Sequence, residues 1–375
     1  MNPMRILIAT VPAGGGHLQA AASVEEAWRR QRPRDVLEQV DLLDFVSKLQ
    51  RAVYVRGYVK LVEHAPELWG MVFRHTDNPA LVQKLARFRR AFAKATNRRF
   101  VRHLRVFAPD AVICTHYLPV EVLGHLERKG IDPFLACVVT DFEAHTLWMD
   151  AAVDLYCVAA AETKSSLAAR GARAETVAVT GIPIAAKFAH PPEGRAVRKA
   201  CGLRDDLPVL LVLGGGFGMG PVAEILAALE RVEMPLQIVV VAGRNAALRA
   251  ELAGRDHRHP THVLGFVTNM QEWMAAADLV ITKPGGLTTS EALALGKPLF
   301  ILNPIPGQEA ANSDFLLERG AAAKVNRIED LPFRIEELIG SRKLKAMARA
   351  AGRLGRPDAA EAVCREVIGR LRERA

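Results

Sequence analysis

Residues able to bind a phosphorylated ligand are concentrated in the stretch Thr282–Asn312. The turn Pro284-Gly285-Gly286 ends an apolar, strand-like run, and glycine lets backbone N–H groups approach an anion closely. The hydroxyl residues 288–290 (Thr-Thr-Ser) follow, and they fit the N-cap and first turn of a helix. Because a helix start carries unpaired N–H groups and a partial positive charge, this spacing predicts a diphosphate site.

Three further polar residues of this stretch have the chemistry to bind a nucleotide sugar. A carboxylate at Glu291 would repel phosphate, but it can accept two hydrogen bonds from a ribose diol. Gln308 and Glu309 follow the apolar run 299–302, in a loop suited to sugar hydroxyls. An ordinary β-α-β element with a tight turn explains the same spacing, so both interpretations stay open at this point.

A second glycine turn, residues 14–17 (Gly-Gly-Gly-His), joins the strand-like run 5–10 to a helical pattern. The positive end of that helix disfavours imidazolium, so we expect His17 to be a neutral base, with helix capping or packing as the alternative. Asp141 follows the apolar run 135–140 and can orient a base, although a lone aspartate more often caps a turn. The turn is not GxGxxG, and no acidic residue clearly follows a second strand, which disfavours a dinucleotide cofactor.

Strand-like and helix-like patterns alternate along the chain and position these residues. The runs that predict strands are 5–10, 111–115, 135–140, 155–159, 176–179, 209–213, 237–242, 262–264, 279–282 and 299–302. A segment rich in proline and glycine, 181–194, separates two such series, and 375 residues are expected to form two domains. We therefore predict an α/β protein with two Rossmann-like parallel-sheet domains facing a central cleft. The predicted divisions are 1–185, 186–350 and a C-terminal helix, 351–375, that returns to the first domain.

Composition excludes several classes of protein. Half of the residues are apolar, yet no run approaches the roughly 18 residues of a membrane-spanning helix, and the N-terminus lacks a cleavable signal pattern. The five cysteines are widely spaced and form no CxxC pair. They favour reduced thiols in the cytoplasm over disulfides or zinc.

The net charge of +9 favours an anionic partner. Within the region 45–105, residues 84–105 carry nine lysines or arginines and no acid, interleaved with apolar residues such as Phe88, Phe100 and Leu104. This pattern predicts contact with anionic membrane lipids, and solvated surface helices are the alternative. No RNA-binding signature is present, so no nucleic-acid partner is expected.

Five strings, in order along the chain, resemble those of bacterial and plant diacylglycerol glycosyltransferases, which include monogalactosyldiacylglycerol synthases and glucosyl-diacylglycerol synthases. They are GGGH (14–17), GGGFGMGP (214–221), GFVTNMQEWMAAAD (265–278), TKPGGLTTSEAL (282–293) and PGQEAAN (306–312). The resemblance covers nearly the whole chain and implies a GT-B fold, with the UDP-sugar on the C-terminal domain and the acceptor on the N-terminal domain. It also implies an inverting mechanism without metal or cofactor, and peripheral attachment to the cytoplasmic face of the cell membrane.

The resemblance and the strand-end positions together define the predicted site. His17 and Asp141 would be catalytic. The predicted acceptor site contains Gly15, Gly16, His145 and Trp148. The predicted donor site contains Gly215, Gly216, Phe217, Gly218, Arg244, Phe266, Val267, Met270, Gly285, Gly286, Leu287, Thr288, Glu291, Gln308 and Glu309. Within it, Glu291 would hold the ribose, the glycine turns the phosphates, residues 266–270 the uracil, and Gln308 with Glu309 the hexose.

The resemblance implies transfer of galactose or glucose from a UDP-sugar to 1,2-diacylglycerol, giving a β-glycosyl-diacylglycerol. The string GGGFGMG is closer to the galactosyl enzymes and PGGLTTSE to the glucosyl enzymes, so the hexose stays open. One alternative is a glycosyltransferase that acts on another lipid or hydrophobic small molecule. A second is a non-catalytic membrane- or nucleotide-binding protein, whereas an epimerase is disfavoured because the dinucleotide fingerprint is missing.

Overall fold

The structure is a computed structural model that describes residues 3–12, 15–52, 65–78, 98–124, 132–215, 220–302 and 304–374. The chain forms two compact units. The first unit comprises Met1–Ala186, Ile305–Ala311 and Asp358–Ala375, and the second unit comprises Lys187–Pro304 and Asn312–Pro357. The division expected from the sequence differs in two places, because residues 305–311 belong to the first unit and the second unit extends to Pro357.

A parallel sheet forms the centre of the first unit. Its strands are β1 (Arg5–Thr10), β2 (Val36–Asp41), β3 (Ala111–Cys114), β4 (Phe134–Val138), β5 (Leu155–Val158) and β6 (Val177–Val179). Within the described residues their order is β2-β1-β3-β4-β5-β6, and neighbouring strands are parallel. In the described part of residues 1–186, the helices are α1 (Gly15–Gln31), α2 (Pro66–Thr76), α3 (Arg98–Phe107), α4 (Tyr117–Gly124) and α5 (Ala161–Ala169).

Both faces of this sheet are buried, as expected for parallel strands covered by helices. Along β1, Leu7 and Ala9 face one hydrophobic core while Ile6 and Ile8 face the other. The second core also contains residues of the C-terminal helix α14 (Ala359–Arg374), which packs against α1.

A second parallel sheet forms the centre of the second unit. Its strands are β7 (Val209–Leu213), β8 (Gln237–Val241), β9 (Thr261–Leu264), β10 (Leu279–Thr282), β11 (Leu299–Leu302) and β12 (Ala322–Val325). The order in the described residues is β12-β11-β10-β7-β8-β9. The remaining helices, which follow in chain order before α14, are α6 (Gly194–Ala200), α7 (Val222–Leu229), α8 (Ala246–Ala253), α9 (Met270–Ala276), α10 (Gly286–Ala294), α11 (Gln308–Glu318), α12 (Leu331–Leu338) and α13 (Arg342–Leu354).

No acidic residue was expected to follow a second strand in the dinucleotide pattern, and β2, which was not predicted, ends in one. Strand β2 ends at Asp41, whose side chain accepts a hydrogen bond from the N–H of Leu43 (2.8 Å). The same carboxylate pairs with Arg51 at 3.0 Å. Asp41 therefore caps the following turn and neutralises an arginine within its own unit.

The interpretation of residues 98–105 as part of a lipid-facing helix is also wrong for its apolar side chains. In α3, Phe100 and Leu104 are buried in the core of the first unit, because the apolar side of this helix packs against the sheet. Its arginines face outward. The expected basic and aromatic positions in 53–64 and 79–97 lie outside the described residues.

No helix in the described ranges combines the length and the apolar character needed to cross a bilayer.

Candidate functional site

His17 lies where the strand order of the first sheet reverses. Strand β1 has β2 on one side and β3 on the other, and α1, which carries His17, follows β1 directly. Ligands of open α/β sheets bind beyond the carboxyl ends of the strands at such a point. His17 therefore lies beyond the carboxyl ends of the strands, at the edge of the sheet where ligands usually bind.

The ring of His17 is held by residues that follow two neighbouring strands. Its Nδ1 lies 2.9 Å from the carbonyl oxygen of Thr115, after β3, and 3.0 Å from Oγ1 of Thr140, after β4. A carbonyl oxygen only accepts, so the proton is on Nδ1 and Nε2 is the basic nitrogen. The Thr115 hydroxyl donates to the carbonyl of His17 (3.0 Å), which fixes the backbone as well.

Burial lowers the pKa of His17 below its ordinary value. The negative charge of Asp141 and the hydrogen bond to Thr115 oppose this shift, but burial is the largest influence. The imidazole is therefore neutral at neutral pH, which is the form that a general base requires. We had expected neutrality from the helix end, whereas burial is the main cause.

Aromatic rings surround this histidine. His116 meets it edge to face with ring centroids 4.7 Å apart, and the Trp148 ring lies 6.2 Å away. His116 is buried, its Nδ1 accepts from the N–H of Leu118 (3.0 Å), and burial holds its pKa well below the ordinary value. The cluster of His17, His116, Tyr117 and Trp148 is called the His17 site below.

The other predicted residues of the first unit take different positions. Gly15 and Gly16 begin α1, and the space around Gly15 is open. His145 is buried, and both of its ring nitrogens are hydrogen-bonded within the unit: Nδ1 accepts from Leu147 (3.0 Å) and Nε2 donates to the carbonyl of Phe73 (2.9 Å). The ring of His145 therefore binds the C-terminal part of α2, rather than presenting a nitrogen to an acceptor substrate.

A cavity of about 100 Å³ lies in the second unit, lined by residues at the carboxyl ends of β7 and β8 and by residues of α9 and α10. It is lined by Leu213, Gly215, Val241, Gly243, Phe266, Val267, Met270, Met274, Thr288 and Glu291. Clefts that enclose a whole drug-sized ligand measure about 300–1,000 Å³, so this cavity fits one part of a ligand, such as a flat base. It is called the Glu291 cavity below.

The helix α10 begins at the rim of this cavity. Its N-cap is Gly285, so the expectation that a hydroxyl residue in 288–290 caps the helix is wrong. Gly285 adopts an extended conformation, Thr289 donates its N–H to the Gly285 carbonyl (3.0 Å), and the Ser290 hydroxyl donates to the Gly286 carbonyl (2.8 Å). The N–H groups of Gly286, Leu287 and Thr288 lie in the first turn, where a helix offers N–H groups to an anion.

Glu291 lies one turn further along α10 and faces the cavity. Burial raises its pKa to about 8, and the positive charge of Lys187 opposes that rise. Lys187 itself donates a hydrogen bond to the Thr268 carbonyl, in the loop before α9. At neutral pH the carboxyl group of Glu291 is therefore mainly protonated.

The remaining residues predicted for the donor divide into three groups. Gly215 lines the cavity with φ +73°, a conformation that favours glycine, whereas Gly216, Phe217 and Gly218 lie outside the described residues. Arg244 lies over the ring of Phe266, 5.0 Å from its centroid. Gln308 and Glu309 begin helix α11, so the expectation that they lie in a loop is wrong. They belong to the first unit, where Glu309 accepts from the N–H of Ile305 (2.8 Å).

Several contributors to these sites were not predicted from the sequence. Thr115 and Thr140 orient His17, Lys187 acts on Glu291, and Met274 lines the cavity. The two threonines follow apolar strands, and that position was the signal available. Among the described residues, no group of three or more His, Cys, Asp or Glu side chains is arranged to hold a metal ion.

Comparisons with known proteins agree on one family. Residues 17–184 match the model of monogalactosyldiacylglycerol (MGDG) synthase, and residues 209–363 match the glycosyltransferase family 28 C-terminal domain. A processive diacylglycerol beta-glucosyltransferase of Bacillus pumilus is 30% identical over 97% of this chain and 94% of its own length.

Solved structures show the same fold at low sequence identity. MurG of Acinetobacter baumannii superposes with a TM-score of 0.62 at 18% identity, over 98% of this chain and 100% of that one. Anabaena HepE in complex with UDP-glucose gives 0.57 at 15% identity, with the same coverage.

The two parallel six-stranded sheets define a two-domain α/β protein with a GT-B-type fold. The chain belongs to the family of the diacylglycerol glucosyltransferases and monogalactosyldiacylglycerol synthases. The resemblance predicted from the five strings is thereby confirmed.

Proposed function

We propose that this protein transfers a hexose, galactose or glucose, from a UDP-sugar to the 3-hydroxyl of 1,2-diacylglycerol with inversion, forming a β-glycosyl-diacylglycerol. The observation that carries the proposal is the extent of the family similarity. The two family matches include both His17, in residues 17–184, and Glu291, in residues 209–363. One relative is named for glucose transfer, and one family model is named for galactose. The identity of the transferred hexose must therefore be determined by experiment.

His17 is the proposed general base. Its Nε2 removes the proton from the primary hydroxyl of diacylglycerol, and that oxygen attacks the anomeric carbon. The bond from this carbon to the diphosphate oxygen breaks, UDP leaves, and the proton stays on His17. General-base catalysis of this kind typically contributes about 10²–10⁴-fold. The charge of Asp141 favours the imidazolium that forms, which supports a role for Asp141 in the same step.

The second unit is the proposed donor site. The apolar residues of the Glu291 cavity suit the uracil, the carboxylate of Glu291 suits the ribose diol, and the first turn of α10 suits the diphosphate. Stabilising the diphosphate by helix-end N–H groups would let UDP leave without a metal ion. The binding of UDP-glucose by HepE, which shares the fold, is consistent with this assignment.

We also propose peripheral binding to anionic lipid at the inner face of the cell membrane, through the region 45–105. Its described part presents an apolar face on α2, where Leu68, Met71 and Val72 are 51%, 61% and 41% exposed. The arginines on the exposed side of α3 add positive charge. Each lysine or arginine near an anionic surface contributes roughly 1 kcal/mol.

Incubation of the purified protein with radiolabelled UDP-glucose or UDP-galactose and a panel of lipids tests the activity. We expect labelled hexosyl-diacylglycerol, identified by thin-layer chromatography and mass spectrometry. Label appearing only on another lipid would replace diacylglycerol with that acceptor. Binding of UDP with neither transfer nor hydrolysis would identify a non-catalytic nucleotide-binding protein.

A further inference from the structure

Two histidines of the first unit bind the backbone in the same way, each just before a helical segment. Nδ1 of His145 accepts from the N–H of Leu147, and Nδ1 of His116 accepts from the N–H of Leu118, both at 3.0 Å. Nε2 of His145 then donates to the carbonyl oxygen of Phe73 at 2.9 Å. Nε2 of His116 has no such protein partner among the described residues. The two rings therefore differ in what their second nitrogen binds.

The proton of the His116 ring is on Nε2. Because a backbone N–H only donates, the nitrogen that accepts from Leu118 carries no proton. Burial, together with the neighbouring His17, holds the pKa of His116 well below its ordinary value, so the ring is neutral at neutral pH. The residue is only 3% exposed. A buried N–H without a protein acceptor costs free energy, and a hydrogen bond to a ligand would recover it.

His17, beside His116, has its proton on the other ring nitrogen. Its Nδ1 donates to the carbonyl oxygen of Thr115 (2.9 Å), which leaves Nε2 as a hydrogen-bond acceptor. The rings of His17 and His116 meet edge to face, with centroids 4.7 Å apart. Neighbouring rings of the first unit thus supply one accepting nitrogen and one donating N–H. Such a pair is complementary to a molecule that carries a hydroxyl group and, a few bonds away, a carbonyl oxygen.

We infer that His116 is an acceptor-binding residue, whose Nε2–H donates to the ester carbonyl oxygen next to the reacting hydroxyl of diacylglycerol. This inference rests on the proposed function, in which His17 takes the proton of that hydroxyl. In 1,2-diacylglycerol the ester on carbon 2 is adjacent to the free hydroxyl on carbon 3. A hydrogen bond to its carbonyl oxygen would position the hydroxyl for His17. It would also disfavour ether-linked lipids, because they lack the group that the N–H binds.

The test compares 1,2-diacylglycerol with 1,2-dialkylglycerol as acceptors of the wild type and of His116→Asn. Asparagine is a preferred residue before a helix, so it keeps an acceptor for the N–H of Leu118 while the Nε2–H is removed. For the wild type we expect kcat/KM to be about 3–10-fold higher with the diacyl lipid, the effect of one hydrogen bond. In His116→Asn the ratio should fall to about 1, because only the rate with the diacyl lipid decreases.

Two further measurements keep the test decisive if His116→Asn fails to fold. His116→Gln places an amide N–H near the position of Nε2, so it should keep most of the preference for the diacyl lipid even if the protein is less stable. Nitrogen NMR of the histidine-labelled wild type should show a protonated Nε2 and an unprotonated Nδ1 at His116. The Nε2 resonance should shift when micelles containing diacylglycerol are added, and should not shift with dialkylglycerol.

His145→Asn is the matched control, because it also keeps a backbone contact and loses an Nε2–H, which here binds Phe73. It should lower the melting temperature and leave the diacyl-to-dialkyl ratio at the wild-type value. The inference would be overturned by a wild type that uses both lipids equally, by an unchanged ratio in His116→Asn, by an equal fall in His145→Asn, or by a His116 proton on Nδ1. A wild-type protein that transfers hexose to neither lipid would instead refute the proposed function.

Discussion

Burial shifts the pKa of the central group in opposite directions in the His17 site and in the Glu291 cavity. Burial lowers the pKa of His17 and raises that of Glu291 to about 8, so both groups are mainly neutral at neutral pH. For a base, the neutral form is the reactive one, so His17 is ready before the acceptor binds. For a carboxylate that accepts two ribose hydroxyls, the neutral form must first lose a proton, so Glu291 is completed by its ligand.

The largest expected effect separates catalysis from donor binding. His17→Ala removes the base and should lower kcat at least about 100-fold, while UDP affinity, measured by calorimetry, stays unchanged. His190→Ala, at an exposed histidine of the second unit, is the matched control and should keep full activity. A His17→Ala protein with wild-type turnover would exclude His17 from catalysis.

The next largest effect concerns the protonation of Glu291. If the ligand binds the carboxylate, UDP binding releases a proton, and affinity should rise with pH up to about 8 and then level off. Glu291→Gln should weaken UDP binding roughly tenfold at pH 9 and make the remaining affinity independent of pH between about 7 and 9. Calorimetry in two buffers of different ionisation enthalpy measures the proton release directly. The absence of released protons in the wild type would show that Glu291 does not bind as a carboxylate.

An effect of similar size is expected at the proposed lipid surface. Replacing Leu68 and Met71 together with serine removes apolar area from the exposed face of α2. It should weaken binding to anionic vesicles roughly tenfold in a sedimentation assay, because each fully buried large apolar side chain contributes about 1.5–3 kcal/mol. Phe333→Ser removes a similarly exposed apolar residue from α12 in the second unit and should have no effect. Equal losses in both variants would remove α2 from the proposed membrane surface.

The smallest expected effect is a shift of the pH profile. With its lowered pKa, His17 should keep kcat/KM constant near neutral pH, and the rate should fall only as acid protonates the ring. The Asp141 carboxylate raises this pKa, so Asp141→Asn should move the acidic limb to lower pH. An acidic limb at the same pH in Asp141→Asn as in the wild type would show that this limb does not reflect the protonation of His17.

The sequence predicted the centres of both sheets better than their edges. The bounds of β1, β7, β10 and β11 match the expected runs, because each is apolar and is followed by a turn or polar segment. The edge strands β2 and β12 were missed. The run VLEQVD of β2 is only partly buried and contains charged residues. The run AAKV of β12 is mostly buried, but its alanines and lysine are weak strand formers.

The candidate sites show the same limit. Glycine turns and helix starts predicted Gly215, Thr288 and Glu291 of the cavity, because these backbone conformations favour particular residue types. The contacts of Thr115 and Thr140 with His17, and of Trp69 with Gln308, join residues 98 to 239 positions apart. Such contacts depend on the tertiary fold, which no local pattern encodes.

Lipid analysis in a host that makes no glycolipids tests the central claim most directly. Expression of this chain should produce hexosyl-diacylglycerol by mass spectrometry, with a β anomeric configuration by NMR, and expression of His17→Ala should produce none. A wild-type chain that accumulates as folded, UDP-binding protein and yields no such lipid, or one with the α configuration, would contradict the account.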